Sequence, residues 1–457
     1  MRLGTGPGRW VLAATIVASG LALIDATVVN IALPRMGREL GASFAQLQWI
    51  VNGYTLTLSA LILLGGSLGD MYGRRRIFLF GTGGFALGSL LCALSVNAAM
   101  LIGARSLQGI GGALLTPGSL AIISSAFAHS DRARAIGVWS GLGGIAAAAA
   151  PLLGGWLVGI SWRWVFLINL PLAAGVVLVS LRHVPESTDA EAGHRIDWVG
   201  TVAAAAGLGG LTYALTSGGA GMPALALAWT LAVAGLAGFA AVERRVRHPL
   251  VPFGLFGSRV FALTNVATLF VYAALTVFFF LVGLELQVVA GYTPLQAGLS
   301  TLPFVAVLLL LSPRMGGLSD RVGPRLPMTT GAVLAAGGFF LATRMGADTA
   351  YPSDVLPAVA LLGLGLSFVV APLTSSVLAA APDHLSGTAS AINNAVARTA
   401  SLLAVAVVPL AAGLSDYRDP AAFDAGFTRA MLIGSALMLA GAVSSALLPH
   451  GRTAAPT

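Results

Sequence analysis

The sequence predicts an all-α, polytopic membrane protein of 14 transmembrane helices, laid out as two six-helix bundles with two helices inserted between them. Three observations predict it. Of 457 residues 57% are hydrophobic and only 9% charged, against about 25% charge in an ordinary globular domain. Fourteen windows between the scarce charges reach the length of about 20 apolar residues that a helix needs to cross a bilayer. Two loops, 250 residues apart, repeat one pattern of Gly, Asp and Arg. The composition leaves too little polar surface for a soluble fold, and it is too apolar for a disordered chain.

The first bundle, 1–182, supplies spans at about 10–33, 47–68, 76–96, 99–122, 135–158 and 163–182. Charges delimit them: Arg9 and Arg35 bracket the first, Asp70 and Arg74 to Arg76 close the second, and Asp131 to Arg134 precede the fifth. The first window is longer than a signal-peptide core and thirteen more follow it, so it reads as a retained span. A polar linker, 183–196, holds Glu186, Asp189, Glu191, His194 and Arg195. Two inserted spans follow within 197–243, at about 197–217 and 223–243, and a second linker occupies 244–259. The second bundle, 260–448, has spans at about 260–288, 294–313, 326–343, 355–378, 386–414 and 427–448, before a tail at 449–457.

Arginine sets the orientation, because cytoplasmic loops are enriched in it. With both termini in the cytoplasm, inner segments hold 17 of the 25 arginines and outer loops hold six; Arg105 and Arg398 lie within spans. The net charge of +8 therefore reads as loops at an anionic membrane, not as a nucleic-acid footprint. Every basic residue is Arg, so lysine Schiff-base chemistry and a P-loop lysine are excluded. The lone Cys92 excludes an intramolecular disulfide and a Cys-based metal site. All six histidines sit in loops or at span edges, which argues against an intramembrane hydrolase. No loop is long enough for an ATP-hydrolysing module, so uphill work has to draw on an ion gradient or on the substrate itself, and no cofactor is expected.

The repeated loops are Gly66-Ser-Leu-Gly69-Asp70-Met-Tyr-Gly73-Arg74-Arg75-Arg76 and Gly317-Leu-Ser-Asp320-Arg321-Val-Gly323-Pro-Arg325. They fall at equivalent places if the last six spans repeat the first six. Glycine suits a short connection whose backbones turn or touch, here Gly66, Gly69 and Gly73. An Asp beside Arg residues can latch one conformation and release another. This loop resembles that of the major facilitator superfamily, whose halves are related by a parallel repeat. Met71 stands where the family often has Arg, whereas Arg321 keeps that position.

Further motifs narrow the resemblance. They are Leu23-Ile-Asp25-Ala-Thr27-Val-Val-Asn30-Ile-Ala-Leu-Pro34, Ala104-Arg105-Ser-Leu-Gln108-Gly109, Ala150-Pro151-Leu-Leu-Gly154-Gly155 and Trp162-Arg163-Trp164-Val-Phe166-Leu-Ile-Asn169-Leu-Pro171. Together they resemble the fourteen-span drug:proton antiporters, the bacterial multidrug and antiseptic exporters. The resemblance implies alternating access driven by the proton gradient, and a latch formed by Gly66, Asp70, Gly73, Arg74 and Arg75 with Asp320, Arg321 and Gly323. It also implies an antiport helix marked by Pro151, Gly154 and Gly155. Ala150 replaces the family's glycine before the proline. Independently, the Gly- and Ala-rich fifth span predicts close helix contacts, and Pro151 predicts a bend.

An ionisable residue inside a span needs a partner or water, since burial there costs at least ~2.5–3.5 kcal/mol. Four qualify: Asp25, Arg105, Glu285 and Arg398. Counting residues from the outer span ends puts Asp25 and Arg105 at similar depth. They are expected to meet at the outer half of a cavity, where a proton and a cationic substrate compete for one carboxylate. A structural ion pair is the plainer alternative. Asn30, Gln108, Glu285, Asn393, Asn394 and Arg398 complete the expected cavity lining, with Phe278, Phe279 and Phe280 as an apolar wall. Glu285, the one acid within a predicted span of the second bundle, is placed close enough to the outer surface to reach interfacial water, and is otherwise a candidate second cation or proton site.

The sequence thus predicts a proton-coupled exporter of hydrophobic, cationic compounds in the bacterial inner membrane, working as a monomer. A dedicated exporter of one metabolite, antibiotic or lipid keeps the same fold. A non-transporting sensor or scaffold is the alternative of another class.

Overall fold

The computed structural model describes residues 1–3, 5–188, 197–217, 221–246, 251–382 and 385–449. Among the described residues there are 14 helical segments long and apolar enough to cross a membrane. The chain divides into two compact units, Met1–Leu250 and Val251–Thr457.

The first unit contains α1 (Gly6–Leu40), α2 (Phe44–Tyr72), α3 (Arg74–Ala93), α4 (Ala98–Ala126), α5 (His129–Ile160), α6 (Trp164–Leu167), α7 (Asn169–His183), α8 (Trp198–Thr216) and α9 (Met222–Glu243). Local chemistry sets their ends. Thr5 caps α1, Ser43 and Gln46 form a reciprocal capping box on α2, and Asn97 caps α4. α1 stops at Gly41, whose φ of 61° is the left-handed conformation that glycine adopts without strain. The inserted helices belong to this unit: α8 packs on α2, with Trp49 and Tyr213 ring centroids 6.2 Å apart.

The second unit contains α10 (Arg259–Leu284), α11 (Pro294–Ser300), α12 (Leu302–Val322), α13 (Arg325–Ala342), α14 (Leu356–Ala379), α15 (Ser386–Ala411) and α16 (Pro420–Ala446). A π-helical turn, Glu285–Val289, prolongs α10, and another, Tyr351–Val355, leads into α14. The tenth predicted span is two helices that meet at Thr301. The last begins at Pro420, ahead of the predicted 427, because Asp419 caps it by accepting from the Ala421 and Ala422 amides.

Packing repeats between the units. α4 lies against α2 and α3 as α14 lies against α12 and α13; α7 lies against α1 and α3 as α16 lies against α10 and α13. Small residues permit the closest approaches. A Cβ on Gly111 of α4 would stand 2.3 Å from the Phe85 amide nitrogen, and one on Gly365 of α14 would stand 2.4 Å from that of Ala335. Large apolar side chains such as Phe80, Val233 and Leu310 are exposed on the helices, as bilayer-facing residues are.

Candidate functional site

Five helices of the first unit converge on one buried polar cluster. α1 brings Asp25, α2 brings Tyr54 and the Ile50 carbonyl, α3 brings Ser89, α4 brings Arg105 and Gln108, and α7 brings Asn169. Arg105 and Gln108 are three residues apart, so one face of α4 presents both. Arg105 Nη1 donates to Asp25 Oδ2 at 2.5 Å and to Gln108 Oε1 at 2.6 Å, while Nε donates to the Ile50 carbonyl at 3.1 Å. Gln108 Nε2 donates in turn to Asp25 Oδ1 at 2.8 Å and to Ser89 Oγ at 2.9 Å. Asn169 Nδ2 reaches Ser89 Oγ at 3.2 Å and Asp25 Oδ1 at 3.4 Å. The guanidinium carbon sits 4.4 Å from the Tyr54 ring centroid.

Asp25 and Arg105 are each 1% exposed. Two ions this deeply buried are tolerable because they neutralise each other and because Gln108, Asn169 and the Ile50 carbonyl add hydrogen bonds to them. The pair forms directly, as expected, but it does not line an open cavity: Tyr54, Gln108 and Asn169, themselves buried, surround it. Sequence reasoning missed Tyr54, Ser89 and Asn169. Asn169 had a signal, as a lone amide in the apolar run that follows Arg163; Ser89 had none.

The other expected residues lie apart. Asn30 turns its amide back to the Ala26 carbonyl at 3.2 Å and leaves its buried Oδ1 without a partner. On α5, a Cβ at Gly154 would stand 2.8 Å from Val28, which explains a glycine where α5 crosses α1. Gly155 and Pro151 are buried, and the helix runs through Pro151 unbroken. Around Gly141 and Gly143 there is open space, so these two glycines do not serve a close helix contact.

At the repeated loop, Asp70 accepts from Arg74 Nε at 2.8 Å. Gly73 has φ 111°, a conformation that disfavours any residue with a Cβ. Gly66 has ordinary space around it; the close approach belongs to Gly65, where a Cβ would meet the Ala113 carbonyl at 2.2 Å. Arg75 pairs with the linker, not with Asp70. Glu186 accepts from the Arg75 and Arg76 amides at 3.0 and 3.2 Å, placing a carboxylate at the N-terminus of α3, and it lies 3.8 Å from the Arg75 guanidinium. In the second copy Gly323 has φ 84° and Arg321 is exposed; the Asp320 side chain lies outside the described residues. So do Asp189, Glu191, His194 and Arg195 of the linker.

In the second unit the polar groups are dispersed. Asn393 donates to Asn265 at 3.1 Å and to Thr268 at 2.8 Å, joining α15 to α10, and Ser401 meets Thr276 at 2.7 Å on the same seam. Asn394 is exposed and bonds its own helix at Ser390. Arg398 is half-buried on α15. Glu285 is fully buried instead of reaching interfacial water. Nor is it the one acid of its membrane region: Asp424 on α16 acts on it. The Pro420 helix start was the overlooked signal for Asp424. The apolar wall is also corrected. Phe278 and Phe280 are fully buried, and Phe279 packs edge-on against Phe304 with centroids 5.1 Å apart.

Comparison with known proteins agrees with this architecture. The model of the Major Facilitator Superfamily matches residues 15–405. The chain is 35% identical to the multidrug resistance protein Stp of Mycobacterium tuberculosis over 418 residues, 89% of this chain and 77% of that one. It is 34% identical to the puromycin resistance protein pur8 of Streptomyces alboniger, covering 99% and 93%. It is 33% identical to the cephamycin export protein CmcT of Amycolatopsis lactamdurans, covering 98% and 93%. Among solved structures, a bacterial homologue of the human lysosomal transporter Spinster superposes with a TM-score of 0.69 at 18% identity, over 97% of each chain. A D-xylose-proton symporter gives 0.69 at 15% identity, over 98% of this chain and 99% of that one. The chain belongs to the major facilitator superfamily. It is a multi-pass membrane transport protein, not an enzyme.

Proposed function

We propose that this protein is a proton-coupled antiporter that exports hydrophobic, cationic drugs or toxic compounds from bacteria by alternating access. The drug- and antibiotic-resistance relatives support the cargo class, and the Asp25 cluster is the observation that supports the coupling. Asp25 is the one acid buried against Arg105, and three donors converge on its carboxylate. A proton arriving on Asp25 removes the charge that holds Arg105. Gln108, which both accepts from Arg105 and donates to Asp25, then loses its bridging geometry. A cationic substrate competes for the same carboxylate, so proton and drug occupy it in turn. Opened to the outside, Asp25 takes a proton and releases drug; opened to the cytoplasm, it loses the proton and rebinds drug.

The arginine distribution supports cytoplasmic termini in the bacterial cell membrane, and a monomer contains the whole cluster. A second reading, export of a single antibiotic, is favoured by relatives whose names concern puromycin and cephamycin alone. Efflux of chemically unrelated cations from a pump-deficient host separates the two.

The direct test is uphill efflux of ethidium from proteoliposomes under an imposed pH gradient. Asp25→Asn is expected to abolish uphill movement, because the variant offers neither the proton nor the cation a carboxylate. Uphill efflux at the wild-type rate from Asp25→Asn would sink the assignment.

A further inference from the structure

The second unit contains a buried acid that the Asp25 mechanism does not use. Glu285 is 0% exposed, and neither of its carboxyl oxygens has a hydrogen-bond partner of ordinary geometry. It opens the π-helical turn Glu285–Val289, which packs against α10, α11 and α16. Turns of this kind are rare and concentrate at functional sites. The ionisable group that acts on Glu285 from these elements is another acid, Asp424, half-buried near the start of α16. The other ionisable groups nearby are turned elsewhere. Arg429 of α16 donates to the Ala425 carbonyl and lies over Gly413, Asp419 caps its own helix, and Tyr292 interacts with Tyr351. α11 carries no ionisable side chain.

We infer that Glu285 and Asp424 form a second proton-binding site, holding one proton between two carboxyl groups. An ionised carboxylate buried without a donor from the protein is strongly disfavoured. Two adjacent carboxyl groups that both lose their protons repel each other, so such pairs titrate as a unit and retain one. Of the two, Glu285 is the more deeply buried, so it is the group on which a bare charge is least tolerable. Release hands that proton to water and leaves two carboxylates; no other bond changes. Because two like charges cannot stay packed, release requires the π-turn and α16 to separate or admit water. The pair therefore ties the packing of these two elements to a proton. It involves no residue of the Asp25 cluster and does not depend on the role proposed for that cluster.

Infrared difference spectroscopy on the purified full-length chain, stepped from mildly acidic to alkaline buffer, tests this directly. The wild type is expected to show a protonated-carboxyl C=O band that is lost in Glu285→Gln. Asp25→Asn is expected to keep that band, so failure of the Asp25 reading and failure of this one register separately. Asp424→Asn is expected to keep the band at a shifted frequency, because the group facing the proton changes. A Glu285→Gln spectrum that retains every protonated-carboxyl band of the wild type overturns the site. So does an Asp424→Asn spectrum superimposable on the wild type, and that variant decides alone should Glu285→Gln fail to fold.

Discussion

The two units share a packing plan but treat their buried charges in opposite ways. In the first, Asp25 and Arg105 neutralise each other, and Gln108, Ser89 and Asn169 satisfy what remains. In the second, the buried acid Glu285 faces another acid, and Arg398 has no acid beside it among the described residues. The two units thus share a pattern of helix contacts while their interior chemistry differs. Helix contacts depend on small residues at fixed depths, such as Gly111 and Gly365, whereas a polar cluster depends on several unrelated side chains at once.

Breaking the neutralised pair should have the largest effect. Arg105→Ala leaves Asp25 dry and unpaired, and loss of one partner of a buried pair typically destabilises by about 3–5 kcal/mol. A large drop in the detergent melting temperature, together with loss of ethidium efflux, is the expected result; an unchanged melt would mean that water already reaches Asp25. Arg398→Ala sharpens the contrast, since no ion pair is lost. Its melt should stay within about 1 kcal/mol of wild type, and a loss as large as that of Arg105→Ala would reveal a hidden partner.

The packing side of the comparison is tested at adjacent glycines. Gly65→Ala forces a Cβ onto the Ala113 carbonyl, so backbone must shift, a strain of about 1–3 kcal/mol. Gly66→Ala, with its nearest neighbour 3.8 Å away, should be neutral or slightly stabilising in thermal melts. Equal effects from the two would show that α2 and α4 are not in this register.

Much of the fold was legible because membrane constraints are coarse. Charge scarcity, span length and arginine sidedness each integrate over many residues, so an error of several positions at Pro420 left the span count intact. The candidate site was legible in part. Asp25 and Arg105 stood out because ionisable residues within spans are few, and residue counting put them at one depth. Gly65 and Gly66 show the limit: the loop pattern pointed to Gly66, but which of two neighbours touches α4 depends on the helix's rotation about its axis. Asp424 was hidden by a boundary error, because hydropathy alone does not register a helix that starts at a proline before its apolar run.

By itself, then, the sequence determined the class of protein, its 14 spans and the short set of charges that need an explanation in the membrane. Depth along the spans already paired Asp25 with Arg105, but only the tertiary structure decided that the pair is buried and which other side chains join it. Helical periodicity fixes the face and depth of a residue on its own helix, whereas a partner lies on another. Asp25 and Arg105 are 80 positions apart along the chain, and Asn393 and Asn265 are 128 apart. Their contacts follow from how close the small residues let the helices come, and no pattern local to either residue encodes that.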